Sequence, residues 1–259
     1  MRTPLRFLET LESRIQPAVN FSDDFNSFLV QPDTSKWAHY QQNVVGKPYN
    51  ADWLSKDYNN ANVKYTNTTS TLSIVSDAGA LDGKALKMTL IRDPNSPTQF
   101  LSSEIATAIP STFNIQSGTV QYGRIEVRAK LPGGPGASGY GVFPSFYLLG
   151  SNVNTGAHWP ICGEIDVFEN KGSTPGQIQS AIHGPGYTGH ELTTTTDLPD
   201  GEAFYSAYHT FAVDWAPNAI SFSLDGNIYK TLPQQMWQTR QLGKLVQMLG
   251  QRLSTTHSS

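Results

Sequence analysis

Three acidic residues, Glu164, Asp166 and Glu169, fall inside one short run, WPICGEIDVFEN, from Trp159 to Asn170. Side chains alternate along a strand, so an extended run projects Glu164 and Asp166 from one face. Glu169 lies five residues beyond Glu164, and a regular strand turns it to the opposite face. One extra residue at Val167–Phe168, a β-bulge, returns it to the first face and leaves Val167 or Phe168 to anchor the other side in a core. Like charges this close oppose simultaneous ionisation. Hydrolysis of a glycosidic bond has this requirement: one ionised carboxylate attacks the anomeric carbon, and one protonated carboxyl delivers a proton to the leaving oxygen. In the retaining form of that chemistry the two carboxyl groups stand ~5–5.5 Å apart. Taken alone, Glu-x-Asp-x-x-Glu also fits a row of acids on a solvated strand face. The Trp-Pro-x-x-Gly lead-in is what makes the pattern specific.

Such a trio needs a rigid sheet beneath it, and the rest of the chain supplies strands. Alternation of period two recurs at Leu72 and Ile74, at Leu86, Met88 and Leu90, and at Ile178, Ser180 and Ile182. It returns at Phe211, Val213 and Trp215, then at Ile220, Phe222 and Leu224. Asp225-Gly226 closes a hairpin there, because the pair tolerates the positive φ angles of a tight primed turn. Between Thr119 and Leu131 the alternation changes phase at Gly123, which predicts a bulge or bend in one long strand. Many short strands with Gly, Pro and Asn turns predict a sandwich or barrel.

The chain has 259 residues and a formal net charge of −3, with 15% charged residues against ~25% in an average globular chain. This length suits one large β-domain. The near-neutral charge, with no phosphate-cradling glycine loop, argues against a nucleic-acid partner. No apolar run reaches the ~20 residues of a membrane span. The single cysteine, Cys162, excludes an internal disulfide. It reads as a small buried hydrophobe beside the acidic strand.

Both ends depart from the β pattern. Leu8, Glu9, Leu11, Glu12, Arg14 and Pro17 match a Leu-Glu-x-Leu-Glu-x-Arg-x-x-Pro segment. It resembles the start of many exported bacterial proteins and lacks an ordinary apolar signal core. Residues 1–20 are therefore expected to be an export-type or disordered segment, and the protein to be secreted or at the cell surface. After Met236, Leu242, Leu245, Val246, Leu249 and Leu253 recur at helical spacing beside Arg240, Lys244 and Arg252. That predicts a short basic amphipathic helix in an atypical tail, 236–259, appended to a domain of residues 21–235.

Several blocks in order resemble glycoside hydrolase family 16, in its laminarinase-like branch. They are YGRIEVRAKLP (Tyr122–Pro132), FPSFYLLG (Phe143–Gly150), GEIDVFEN (Gly163–Asn170), HGPGY (His183–Tyr187), YHTFAVDWAP (Tyr208–Pro217) and ISFSLDGNIYKT (Ile220–Thr231). The resemblance implies an all-β jelly-roll sandwich, concanavalin A-like, of two antiparallel sheets with a concave substrate cleft. It implies an endo-acting hydrolase of β-1,3- or mixed β-1,3/1,4-glucan. Glu164 is then the nucleophile, Glu169 the general acid/base and Asp166 the assisting acid. Trp159 is expected to offer a stacking surface for a sugar, with a core tryptophan as the alternative. Glu126 and Arg128 are expected to bind donor-side sugars, or else to form a cross-strand ion pair. His183 is expected on the leaving-group side, or as a surface histidine, and Phe143 to line the cleft. The resemblance implies no redox cofactor and no catalytic metal, and is compatible with a structural calcium on the convex side. The expected state is a monomer whose partner is the polysaccharide.

Two departures stand out. Phe143-Pro144-Ser145-Phe146-Tyr147 replaces the family's Trp-Pro-x-Phe-Trp, which reshapes the cleft and leaves the linkage preference open. The family's closing strand, of the type Pro-Phe-Tyr-Leu-Leu-Leu-Asn-Leu-Ala-Val-Gly-Gly, is not recognisable, so the sequence predicts a truncation after about residue 237 that removes an interior strand. Two other functions remain open at this level: a carbohydrate-binding jelly roll or inactive truncated hydrolase, and an agarase-type hydrolase of the same family.

Overall fold

A computed structural model describes residues 21–26, 30–33, 36–39, 63–107, 119–135, 139–152, 157, 159–187, 192–199, 201–237 and 245–253. The predicted N-terminal export-type segment, residues 1–20, lies outside the described residues. Among the described residues the early strands are β1 (Ala38–His39), β2 (Val63–Tyr65), β3 (Leu72–Ser76), β4 (Lys84–Met88), β5 (Ile91–Arg92), β6 (Phe100–Ser102) and β7 (Glu104–Ala106). They are followed by β8 (Thr119–Val120), β9 (Gly123–Ala129), β10 (Val142–Gly150), β11 (Glu164–Asn170), β12 (Gln177–His183) and β13 (Thr193–Asp197). The last four are β14 (His209–Ala216), β15 (Ala219–Leu224), β16 (Asn227–Pro233) and β17 (Leu245–Leu253).

The larger sheet runs β1-β7-β17-β10-β11-β12-β13, with β8 also paired to β17. A second sheet runs β16-β15-β14-β9, and two small sheets, β2-β6-β5 and β3-β4, lie apart from these paths. Apolar residues at alternate positions bind the two principal sheets together. Phe146, Leu148, Ile165, Val167 and Phe168 of the larger sheet share one buried cluster with Phe211, Val213, Trp215, Ile220 and Phe222 of the second. Phe168 and Phe211 meet across it with ring centroids 4.4 Å apart. Burying side chains of this size contributes roughly 1.5–3 kcal/mol each relative to exposure. The result is the predicted all-β sandwich, and the Asp225-Gly226 turn joins β15 to β16 with both residues at positive φ, 49° and 80°.

Two expectations are corrected. The stretch around Gly123 is not one bulged strand: β8 pairs with β17 in the larger sheet, and β9 pairs with β14 in the second. Tyr122 and Gly123, at φ 69° and 115°, redirect the chain from one layer to the other, a conformation that glycine adopts without strain. The tail is also different. Residues 245–253 form a strand, not a helix, and pair along their full length with β10, from Val142↔Leu253 to Gly150↔Leu245. On its other edge β17 pairs with β7, Gly250↔Glu104 to Met248↔Ala106. The interior strand expected to be missing is therefore filled, and the sandwich extends past residue 235.

Candidate active site

Strand β11 carries the acidic trio on the face of the larger sheet turned away from the second. Its register explains how. Against β12, Asp166 pairs with Ala181 and the next pair is Glu169↔Gln179, so two residues of β11 oppose one of β12. Against β10, Phe146↔Phe168 is followed by Tyr147↔Asp166, which skips Val167. This is the predicted bulge, and both Val167 and Phe168 are in the core, each 1% exposed. With two consecutive side chains turned inward, Glu169 shares a face with Glu164 and Asp166.

Each carboxylate has a different polar neighbour. The Trp159 indole Nε1–H donates to Glu164 Oε2 at 2.5 Å. His183 Nε2 lies 3.2 Å from Asp166 Oδ2. Gln179 Nε2 donates to Glu169 Oε2 at 3.2 Å. Glu164 and Asp166 are almost wholly buried, at 3% and 2%, while Glu169 is half-buried. A buried carboxylate is costly unless hydrogen-bonded, and the indole N–H meets that need at Glu164. The Trp159 and His183 rings also touch, 5.6 Å between centroids. The turn that delivers the strand, 160–163, closes with Gly163 N–H donating to Pro160 O at 3.0 Å. Gly163 sits at φ 82°, a left-handed angle that suits glycine.

The predicted site residues divide into two groups. Trp159, His183 and the three acids come together, and Phe143 lines a small pocket with Glu169, Lys171, Thr174 and Gln179 at one end of the trio. His183 faces Asp166, the middle acid. Glu126 and Arg128 do not join them. They lie on β9 in the second sheet, where Ile125 is in the core and Val127 and Ala129 pack against it, so residues 126 and 128 point to solvent. Glu126 is held by Arg124 at 2.8 Å, and Arg128 lies over the Tyr208 ring at 4.6 Å. Their alternation was readable, but the sheet they belong to was not.

Two contributors, Gln179 and Glu104, escaped sequence reasoning. Gln179 stands on the face of β12 complementary to the Ile178-Ser180-Ile182 alternation, a signal that exists once the strand register is known. Tyr147, the β10 partner of Asp166, donates its hydroxyl to Glu104 of β7. Glu104 is 1% exposed, and nothing in its short local segment marked it. Cys162 is buried as expected, and burial, with the charge of Glu164 adding to it, pushes its thiol from an ordinary value of 9.0 up to about 12. A thiol so shifted is not a nucleophile at neutral pH.

Among the described residues, the three-donor cluster of carboxylate and imidazole atoms is Glu164, Asp166 and His183, with ligand atoms within 4.8 Å of one another. It is the acidic site itself. On the outer face of the second sheet the acids Glu126 and Asp214 are both engaged by Arg124.

The profile of glycosyl hydrolases family 16 matches residues 50–248. Glucan endo-1,3-beta-glucosidase A1 of Niallia circulans is 31% identical over 222 residues, 84% of this chain and 30% of that protein. A glucan endo-1,3-beta-glucosidase of Cryptopygus antarcticus is 34% identical over 121 residues, 45% of this chain and 42% of that protein. The chain thus spans less than half the length of either relative. The X-ray structure of the laminarinase from Rhodothermus marinus superposes with a TM-score of 0.69 at 20% identity, over 92% of this chain and 86% of that one, a likeness of fold. With a profile match across most of its length and the same sandwich, the chain belongs to family 16 of the glycosyl hydrolases.

Proposed function

We propose that this chain is an endo-acting glycosidase that cleaves β-1,3- or mixed β-1,3/1,4-glucan with retention of anomeric configuration. The observation that carries the reading is the bulge at Val167–Phe168, which sets Glu164, Asp166 and Glu169 on one face. In the first step a Glu164 carboxylate oxygen attacks the anomeric carbon as the bond to the leaving oxygen breaks, and Glu169 gives that oxygen its proton. In the second, Glu169 takes a proton from water, the water oxygen attacks the same carbon, and Glu164 leaves as a carboxylate. The Trp159 N–H orients Glu164, and Asp166, with His183 beside it, modulates the two acids next to it. The half-buried setting of Glu169 suits a group that exchanges protons with water. Glucan-active relatives support the substrate class, and a polymeric substrate supports action outside the cell.

The test is reducing-sugar release from laminarin, with lichenan and agarose as comparisons. Glu164→Gln is expected to lower kcat by at least ~10³-fold, as loss of a nucleophile does, while the protein still binds laminarin. Equal release by wild type and variant would overturn the nucleophile assignment. Binding without release by the wild type would assign the chain instead to carbohydrate binding.

A further inference from the structure

The bulge that returns Glu169 to the acidic face disturbs the backbone behind it. Ser180 of β12 is the single residue opposite Val167 and Phe168. Two residues against one leave a peptide group of β11 without its ladder partner, and such a group in a dry core must be satisfied some other way. The Ser180 hydroxyl does this, donating from Oγ to the Val167 carbonyl oxygen at 2.7 Å. Its one proton is thereby committed, so the Tyr229 hydroxyl, 2.6 Å away, is the donor to Ser180 Oγ.

Tyr229 comes from the other sheet, and from an irregularity there. The β15–β16 register passes from Phe222↔Lys230 to Ser223↔Ile228, which makes Tyr229 the extra residue of a second bulge. Its ring packs against the core cluster and stacks near Phe222, with centroids 6.4 Å apart. Burial pushes its hydroxyl up to about 12, so it keeps the donated proton throughout the neutral range. The chain Tyr229 Oη–Ser180 Oγ–Val167 O therefore crosses the core from one sheet's bulge to the other's. Ser180 is 0% exposed, between the core residues Ile178 and Ile182. Alanine fills nearly the same space, so packing alone gives no reason for a hydroxyl at this point.

We propose that Ser180 is a positioning residue, which with Tyr229 clamps the β11 bulge through the Val167 carbonyl and so fixes Glu169 relative to Glu164. Its catalytic consequence rests on the glycosidase reading above; its structural consequence does not. The catalytic pair tolerates little displacement, and removing the clamp leaves the bulge free to relax towards a regular ladder that turns Glu169 away.

The experiment compares wild type, Ser180→Ala, Tyr229→Phe and the control core variant Ile220→Val by two readouts: amide hydrogen exchange, and kinetics on laminarin across pH. In Ser180→Ala, exchange of the peptide spanning 165–170 is expected to accelerate relative to the one spanning 219–224. Its kcat is expected to fall about tenfold with KM within about twofold, since small misplacements of reacting groups are costly, and the limb of the pH profile set by Glu169 is expected to move. Tyr229→Phe is expected to show the same pattern more weakly, which covers failure of the serine variant to fold. Ile220→Val is expected to lower the melting temperature without either change. Unchanged exchange at 165–170 in both hydroxyl variants would overturn the clamp, as would a kcat loss matched by Ile220→Val. A wild-type chain that releases no sugar would refute the hydrolase reading alone, and the exchange result then decides the clamp.

Discussion

Strand β9 sets Arg124, Glu126 and Arg128 at two-residue spacing on the outer face of the second sheet, in water. Strand β11 sets Glu164, Asp166 and Glu169 on the outer face of the larger sheet, with the first two nearly sealed off. The β9 group neutralises itself: Arg124 reaches both Glu126 and Asp214, at 2.8 and 2.7 Å. The β11 group gathers three carboxylates and answers them with an indole, an imidazole and an amide. Exposed ion pairs such as the first contribute ~0–1 kcal/mol. Buried acids grouped like the second are held against their own repulsion. Regular spacing of charged residues is thus common to both strands, and burial distinguishes the one proposed to act.

Three measurements bear on that contrast. The largest effect is expected for Glu169→Gln, which should lower turnover of laminarin by ~10²–10⁴-fold, the usual worth of a general acid. An aryl glucoside whose leaving group needs no proton should lose far less in its first step. Equal losses on both substrates would remove Glu169 from the acid role.

An intermediate effect is expected from Cys162, which reports on the burial of the residues beside Glu164 and, to a smaller extent, on its charge. Its thiol is raised in the folded protein from 9.0 to about 12. The folded state therefore holds the proton more tightly, and the associated stability is complete below pH 9 and lost as pH rises towards 12. Urea unfolding followed across that window should show a decline that Cys162→Ala reduces. A decline of the same size in the variant would mean that other groups cause it.

The smallest effect is expected for Glu126→Gln. Removing one partner of an exposed pair should change stability by no more than ~0.5 kcal/mol and leave laminarin turnover within about twofold of wild type. A large loss of turnover would break the distinction between the two strands.

The bulge of β11 was legible once its three acids were read as one group, because a same-face trio at these positions demands one extra residue. The core faces of β12, β14 and β15 were legible from plain alternation. Sheet membership was not, because alternation gives a strand's two faces and says nothing about its neighbours. Glu126 and Arg128 were misplaced for that reason. Strand β17 was misread for a related one. Leu245, Leu249 and Leu253 are four residues apart, a spacing that lines up on a helix and on a strand alike. Long-range pairing with β10 and β7 decided between them, and no local window contains that information.

That pairing also orders events in time. Strand β17, the last among the described residues, lies near the middle of the larger sheet, between β7 and β10, which precede it by more than 90 residues. Until residues 245–253 emerge from the ribosome, both neighbours present open edges, the state most prone to pair with the wrong chain. Completion of the sheet must wait for residues 245–253, and distant β contacts of this kind are expected to close slowly.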